Sequence, residues 1–344
     1  MKKRVAIICG GRSSEHEISC ISAGGVLSAI DRGKYEPILI GITKSGKWVL
    51  IPDGYSLEIS GTTLPVVPEN APRVVADVAG FSSGGRDLAI DIVFPLLHGP
   101  YGEDGTIQGL LEMLDVPYVG NGVLASAVAM DKHFAKQIFK AHNINVAPGV
   151  VLRKGDEIKD HGLGYPLFVK PARGGSSRGT HKVKKAEDLS AAVNDAFKYD
   201  SKVMLEEAIV GREVECAVLE KDGNVQCSVP GEIKIDSKFE FYDFEAKYLD
   251  GATTVIAPAN VQRAAELQAA AVEAFIALGC SGLARVDFFY TNKNEIIINE
   301  LNTMPGFTPT SVFPKLWGVS GLSYSEIISA LIETALRRTN STLN

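Results

Sequence analysis

The stretch "ARVDFFYTNKNEIIINELNTMPGF", Ala284 to Phe307, reads as two β-strands joined at "TNKN", because β-branched and aromatic runs flank a polar turn. Folding it about Lys293–Asn294 sets Asp287 opposite Glu300 and Arg285 opposite Asn302. Side chains alternate along a strand, so these four share one face. Facing carboxylates repel one another, and the arrangement needs a reason. A hard cation such as Mg²⁺, which takes one or two carboxylates along with phosphate oxygens and water, supplies one. Asp287, Glu300 and the amide oxygen of Asn302 suit such a site. The plain alternative is a solvated strand face. Phe289, Ile296 and Ile298 weigh against it, since they make these strands substantially buried. Arg285 either neutralises the acids or faces a transferring phosphoryl group, and the spacing does not separate the two.

Around this hairpin the composition is that of a globular protein of two or three domains: 344 residues, 45% hydrophobic and 22% charged. A net charge of −6 gives no reason to expect a nucleic-acid partner. The five cysteines are scattered without a C-x-x-C, so neither a disulfide framework nor a zinc site is indicated. No apolar run approaches a membrane span, and "RVAIICGG" near the start is too short for a signal sequence and reads as a first strand. A soluble cytoplasmic protein is expected.

The first third alternates strands and helices: "RVAIICGG" (4–11), a helix over 13–30, then "YEPILIGIT" (35–43) and "DIVFPLLHG" (91–99). That alternation predicts a parallel α/β sheet with ligands at the carboxyl ends of its strands. The Pro- and Gly-rich tract 61–87 is weakly patterned and reads as a meandering excursion. "GVLASAVAMDKHFAKQIFKAHN" (122–143) reads as one long helix. From about residue 144 strands come in neighbouring pairs, "YPLFVKPA" with "THKVKK" and "KVMLEEAIV" with "EVECAVLEK", which predicts α+β lobes with antiparallel sheets.

Several stretches carry candidate chemistry. In "VKPARGGSSRGTHKV", Gly174, Gly175 and Gly179 with Ser176 and Ser177 form a flexible loop whose N–H groups can wrap an anion, and Lys170, Arg173 and Arg178 add charge. The loop lies between two strands, so it would be a flap over phosphates; a glycine-rich hairpin with solvated charges is the alternative. In "GGRSSEHE", Ser14 and Glu17 have capping-box spacing. Glu15 is left over, either a solvated first-turn acid or a partner for a cationic group. His98 ends the strand in "LLHGPYGEDG"; a lone histidine there either packs or serves a site. Lys132, Lys136 and Lys140 at i, i+4 spacing read as a solvated helix face. Gly306 offers an accessible backbone N–H, and Ser311 a hydroxyl for a carboxylate, in an otherwise irregular loop.

Taken in order, "SSEHEIS", "HGPYGEDGTIQGLLE", "GVLASAVAMDK", "VKPARGGSSRG", "FYDFEAKY", "RVDFF" and "INELNTMPGFTPTS" closely resemble the D-alanine–D-alanine ligases of the ATP-grasp superfamily over nearly the whole chain. The resemblance implies a three-lobed architecture: a Rossmann-like substrate domain over 1–121, a central ATP-grasp lobe with the glycine-rich flap over 122–209, and a C-terminal lobe with the metal hairpin over 210–344. ATP is held between the antiparallel sheets of the two α+β lobes. The implied reaction phosphorylates one D-alanine carboxylate, and the amine of a second attacks the acyl phosphate to give D-alanyl-D-alanine for peptidoglycan. The expected companions are ATP, Mg²⁺ or Mn²⁺, D-alanine and a second copy of the chain.

By the same resemblance, Glu15 engages the first D-alanine's ammonium and His98 lies close to that substrate. Ser176 and Tyr248 join Glu15 in a trio that closes the loop, which makes lid closure part of catalysis. Lys132 and Lys170 serve the ATP phosphates. Glu206, Glu207, Ala208, Ile209 and Glu213 line the adenine and ribose. Lys247 sits near the phosphates and the second substrate, Arg285 and the Gly306 N–H stabilise the transition state, and Ser311 holds the second carboxylate. Asp287, Glu300 and Asn302 are the metal ligands. Arg178 stands where an apolar or small residue is expected. Tyr248 in "EAKY" resembles the dipeptide-forming type, whereas lactate-forming relatives usually change this region; D-lactate or D-serine as the second substrate is the alternative. Two rivals stand beside this reading: an ATP-grasp ligase with another acceptor, and a non-enzymatic nucleotide-binding module, which loss of the acids or of Lys170 would have favoured.

Overall fold

The computed structural model describes residues 1–158, 161–175, 177–235 and 253–338. Strand β1 (Lys3–Gly10) leads through helix α1 (His16–Ala29) to β2 (Tyr35–Ile42) and β3 (Trp48–Leu50). After β4 (Val74–Asp77), β5 (Gly80–Ser83) and β6 (Arg86–Asp87), strand β7 (Ile92–Pro95) returns to the first sheet, whose order is β3-β2-β1-β7. Both neighbours of β1 run parallel to it, as the strand–helix alternation predicted. The apolar run of β1 has a simple cause: Val5, Ile7 and Cys9 enter one core and Ala6 and Ile8 another, so both faces are covered. The tract 61–87 is more than a meander. Its second half forms the antiparallel sheet β4-β5-β6, with Phe81 buried beneath it.

Helix α1 starts later than expected and without the capping box. Glu15 occupies the cap position with no side-chain cap bond, and Glu17 instead pairs with Lys44 at 2.5 Å. Helix α2 (Thr106–Met113) follows β7, and Tyr118 makes an isolated parallel bridge to Val93.

The long helix expected over 122–143 is two helices, α3 (Val123–Met130) and α4 (Lys132–Ala141). Asp131 breaks them apart. Its backbone is extended, its carboxylate accepts from the Phe134 N–H as the cap of α4, and it forms a buried ion pair with Lys202. The break places Lys132 in the first turn of α4, and the Lys132 N–H donates to the Ala172 carbonyl on the flap.

The second half holds two further sheets. Strands β8 (Gly149–Arg153), β9 (Leu167–Pro171), β10 (His181–Val183) and, after helix α5 (Leu189–Ala196), β11 (Lys202–Glu207) form an antiparallel sheet of order β10-β9-β11-β8. Strands β12 (Gly211–Lys221), β13 (Asn224–Cys227), β14 (Gly231–Ile235), β15 (Thr253–Ile256) and, after helix α6 (Ala264–Ala277), β16 (Leu283–Thr291) and β17 (Ile296–Asn302) form the other. Its order is β15-β14-β12-β16-β17, with β13 beside β12. The expected pairing of β11 with β12 does not occur. The chain passes from one sheet to the other between them, so the two strands contribute to opposite walls of a cleft. Helices α7 (Val312–Val319) and α8 (Tyr324–Arg337) close the described chain. Phe307 stacks between Phe94 and Phe313, at 5.8 and 5.9 Å between ring centroids, and so ties the first sheet to the segment after β17. Helices α3 and α4 share their core with α6 and the strands β12, β16 and β17.

Asp131 thus carries a helix break, a cap and the neutralisation of a buried lysine. Asp131→Asn keeps a capping oxygen but strands Lys202, and breaking a buried pair costs about 3–5 kcal/mol. We expect the urea midpoint to fall accordingly. A loss under about 1 kcal/mol, within the range of an exposed pair, would contradict this account.

Candidate functional site

The hairpin of β16 and β17 has the expected register at its far end: Asp287 pairs with Glu300 and Arg285 with Asn302. Near the turn the register differs by one residue, with Tyr290 opposite Ile296 and Phe288 opposite Ile298. Asn299 is the extra residue of a β-bulge that restores the pairing, and the bulge aims its amide at the cleft, where Lys170 Nζ donates to Oδ1 at 3.4 Å. On the third strand of this face, Glu215 of β12 lies opposite Asp287.

Three strands therefore present a charged face over an apolar one. Arg285 grips both oxygens of Asp287 at 2.7 Å and lies 3.0 Å from Glu215. Asn302 Nδ2 donates to Asp287 at 3.0 Å, and Lys132 reaches across from α4 to Glu300 at 3.2 Å. In this state Arg285 neutralises the acids, the first of the two roles left open for it. The donor set is of hard oxygens, two carboxylates and an amide carbonyl that Asn302 leaves spare, and this suits Mg²⁺. Among the described residues no group of three His, Cys, Asp or Glu side chains is placed to hold a metal ion by itself, so such a cation would draw its remaining ligands from phosphate and water.

A cavity of about 710 Å³ runs from this face to the opposing sheet and to the carboxyl end of β1. Its walls bring together every described candidate: Glu15, His98, Lys132, Lys170, Glu206, Glu207, Ala208, Ile209, Glu213, Arg285, Asp287, Glu300, Asn302, Gly306 and Ser311. Ser176, Lys247 and Tyr248 lie outside the described residues.

At the end of the cavity beside β1, Glu15 is 5% exposed. Side chains at Gly99 and Gly175 would collide with it: their Cβ positions lie 2.4 and 3.0 Å from Glu15 Oε2. The flap residue Gly175 thus already rests on Glu15, so loops from separate parts of the chain meet there. His98 is buried, with Nδ1 3.0 Å from the Met304 carbonyl and Nε2 3.0 Å from Ser22 Oγ. A carbonyl only accepts, so Nδ1 carries the proton and Nε2 accepts from Ser22. Burial pulls the His98 pKa down and keeps the ring neutral. Ser311 Oγ accepts from the Thr308 N–H at the start of α7, and a Cβ at Gly306 would sit 3.1 Å from it.

At the other end, Lys170 of β9 and Lys136 of α4 both pair with Glu206 of β11. Lys136 is 4% exposed rather than part of a solvated lysine face; of the three lysines only Lys140 is exposed. Burial pushes the Glu206 carboxyl up, but the two ammonium groups outweigh it and hold the pKa at about 2. Burial lowers Lys136 to about 8 against the pull of Glu206. Arg173, expected to charge the flap, is instead taken up by Asp200, which accepts from its backbone N–H and its guanidinium.

Sequence reasoning missed four residues here. Glu103 accepts from the Gly99 and Met304 N–H groups, and burial, then the nearby Glu15 charge, raises its pKa to about 8. Glu215 had a signal, an acid two residues from Glu213 inside an apolar strand, the same anomaly as in the hairpin. Lys136 and Asn299 had none, since one depends on helix packing and the other on a bulge.

The family model described as "D-ala D-ala ligase N-terminus" matches residues 4–121, and that described as "D-ala D-ala ligase C-terminus" matches 138–333. The chain is 49% identical to the D-alanine–D-alanine ligase of Arthrobacter sp. (strain FB24), covering 98% of this chain and 95% of that one. Among solved structures, the VanG D-Ala:D-Ser ligase of Enterococcus faecalis is similar with a TM-score of 0.85 and 38% identity, over 97% of this chain and all of the other. The D-alanine–D-alanine ligase of Coxiella burnetii is similar at 0.83 and 36%, over 97% and 95%. That of Bacillus anthracis, complexed with ATP, is similar at 0.73 and 28%, over 98% of each chain. With matching models over most of its length and a cleft between two antiparallel sheets that gathers the charged residues of its motifs, the chain belongs to the D-alanine–D-alanine ligase family of ATP-grasp enzymes.

Proposed function

We propose that this enzyme joins two D-alanine molecules into D-alanyl-D-alanine, at the expense of ATP and through a D-alanyl phosphate, as a step toward peptidoglycan. The observation that carries this is the single cavity. An acid (Glu15) that can pair with an ammonium lies at one end, a pair of phosphate-competent lysines (Lys132 and Lys170) at the other, and Arg285 between them. In this reading Glu15 binds the first substrate's ammonium, and the neutral His98, locked by Met304 and Ser22, shapes the same pocket. Lys132 and Lys170 take up the ATP phosphates, while Glu206 to Ile209 and Glu213 receive the adenosine. The carboxylate oxygen of the first D-alanine attacks the γ-phosphorus and ADP leaves. The amine of the second D-alanine then attacks the acyl carbon, and phosphate departs with the electron pair of the broken C–O bond. Arg285 and the Gly306 N–H face the charge that develops there, and Ser311 orients the second carboxylate. Asp287, Glu300 and Asn302 would hold Mg²⁺, which neutralises phosphate charge when bound. Ser176, Lys247 and Tyr248 belong to the same reading through the family resemblance.

The division into domains at 121/122 and 209/210 is supported by the sheets, none of which crosses either point, whereas α3 and α4 pack into the core of the C-terminal strands. The family resemblance supports a homodimer in the cytoplasm, and no described helix is long and apolar enough to cross a membrane. D-Serine as acceptor is the second reading, favoured by the likeness to the D-Ala:D-Ser ligase.

Phosphate release measured with ATP and Mg²⁺ over D-alanine, L-alanine, D-serine and D-lactate should show turnover with D-alanine alone or as the best acceptor. No turnover with D-alanine sinks the assignment, and efficient D-lactate use near neutral pH sinks the acceptor. Glu300→Gln should lower kcat by about 10²-fold or more, the scale of losing one transition-state contact. It should also shift the Mg²⁺ requirement upward; unchanged activity would remove Glu300 from the metal site.

A further inference from the structure

Glu206 sits where two lysines share one carboxylate: Lys136 takes Oε1, and Lys170 takes Oε2 at 2.5 Å. All three side chains are nearly shut off from water, 5% exposed for Lys136 and Glu206 and 12% for Lys170. Lys170 and Glu206 stand on the adjacent antiparallel strands β9 and β11, offset by two residues, which fixes their separation through the sheet. Lys136 approaches from α4, a different element. The cluster therefore carries one positive charge more than it balances, in a place where charge is costly.

That surplus has a use. If Glu206 were held by Lys170 alone, moving Lys170 to a phosphate would strand a buried carboxylate, and a stranded buried charge is strongly unfavourable. With Lys136 in place the departure leaves a neutral pair behind. The geometry also says which lysine moves. Lys170 lines the cavity and already touches Asn299 at its far side, whereas Lys136 is 4% exposed and reaches Glu206 from behind the wall.

We propose that Lys136 is a positioning residue for nucleotide binding: it retains the Glu206 carboxylate so that Lys170 is released to the ATP phosphates. This rests on the reading that Lys170 serves those phosphates. It assigns to Lys136 a role in the site although Lys136 does not itself face the nucleotide.

The test is a double-mutant cycle on the affinity for a non-hydrolysable ATP analogue with Mg²⁺, measured by calorimetry, so that it does not depend on which amino acid the enzyme joins. Lys136→Met should weaken binding by about tenfold, within the usual range for coupled buried groups. In the Glu206→Gln background, where no carboxylate competes for Lys170, the same change should cost less than about twofold. Lys136→Arg, which keeps the charge, should bind within about threefold of the parent. Equal losses from Lys136→Met in both backgrounds, or no loss in the first, overturn the proposal; so does an Arg variant as weak as the Met variant. Should Lys136→Met alone not accumulate folded, Lys136→Gln, which removes the charge but keeps a polar group, takes its place in the same cycle with the same expected and contrary outcomes. Absence of turnover with D-alanine in the parent enzyme would instead count against the proposed reaction and leave this result standing.

Discussion

The contact on which the site depends is Arg285 lying between Asp287 and Glu215 on adjacent strands. Without it, three neighbouring strands would display Glu215, Asp287 and Glu300 on one half-buried face, and mutual repulsion would oppose closing the sheet. The same logic recurs across the cleft. Lys132 meets Glu300, and Lys136 and Lys170 meet Glu206, each cation coming from an element other than the one bearing its acid. In the proposed function, the charges that would meet substrate are held by one another before it arrives. Binding then becomes an exchange of partners within a site whose desolvation cost has already been met in folding.

How far the sequence could be read depended on whether the signal was local. The acids of β16 and β17 were legible because alternation along a strand and the hairpin turn are properties of a few adjacent residues. Even there the pairing of Asp287 with Glu300 was reached through a symmetric turn, whereas the chain uses a shorter register near the turn and a bulge at Asn299. The parallel first sheet was legible from apolar runs. The break at Asp131 was not, since its cause is Lys202, 71 residues away. Spacing alone put Lys132, Lys136 and Lys140 on a solvated face; the family motif recovered Lys132, and Lys136 became visible only once α4 lay against β11. The strands β11 and β12 looked like a pair because they are neighbours in sequence, and only the path of the chain shows that they belong to opposite walls.

Two joints keep the Glu15 end of the cavity in register. Phe307 packed between Phe94 and Phe313 joins the first sheet to the loop after β17. Close by, His98 binds the Met304 carbonyl, and Glu103 receives the Met304 N–H. Glu15, Arg285 and the Gly306 loop are therefore held by one continuous core that contains residues as far apart as Val5 and Ala335. The flap meets this end of the cavity through a glycine, Gly175, placed against Glu15.

The sheet that carries the flap has a core of its own, whose members among the described residues all fall between Val150 and Leu205. The remainder of the enzyme interleaves distant segments and cannot be divided so simply. For inheritance, the difference matters. An exchange of the flap-bearing segment between relatives would leave that apolar core undivided, but would have to match its buried ion pairs with α4, Lys202 with Asp131 and Glu206 with Lys136. The candidate residues lining the cavity, scattered from Glu15 to Ser311, must change together or one at a time in place.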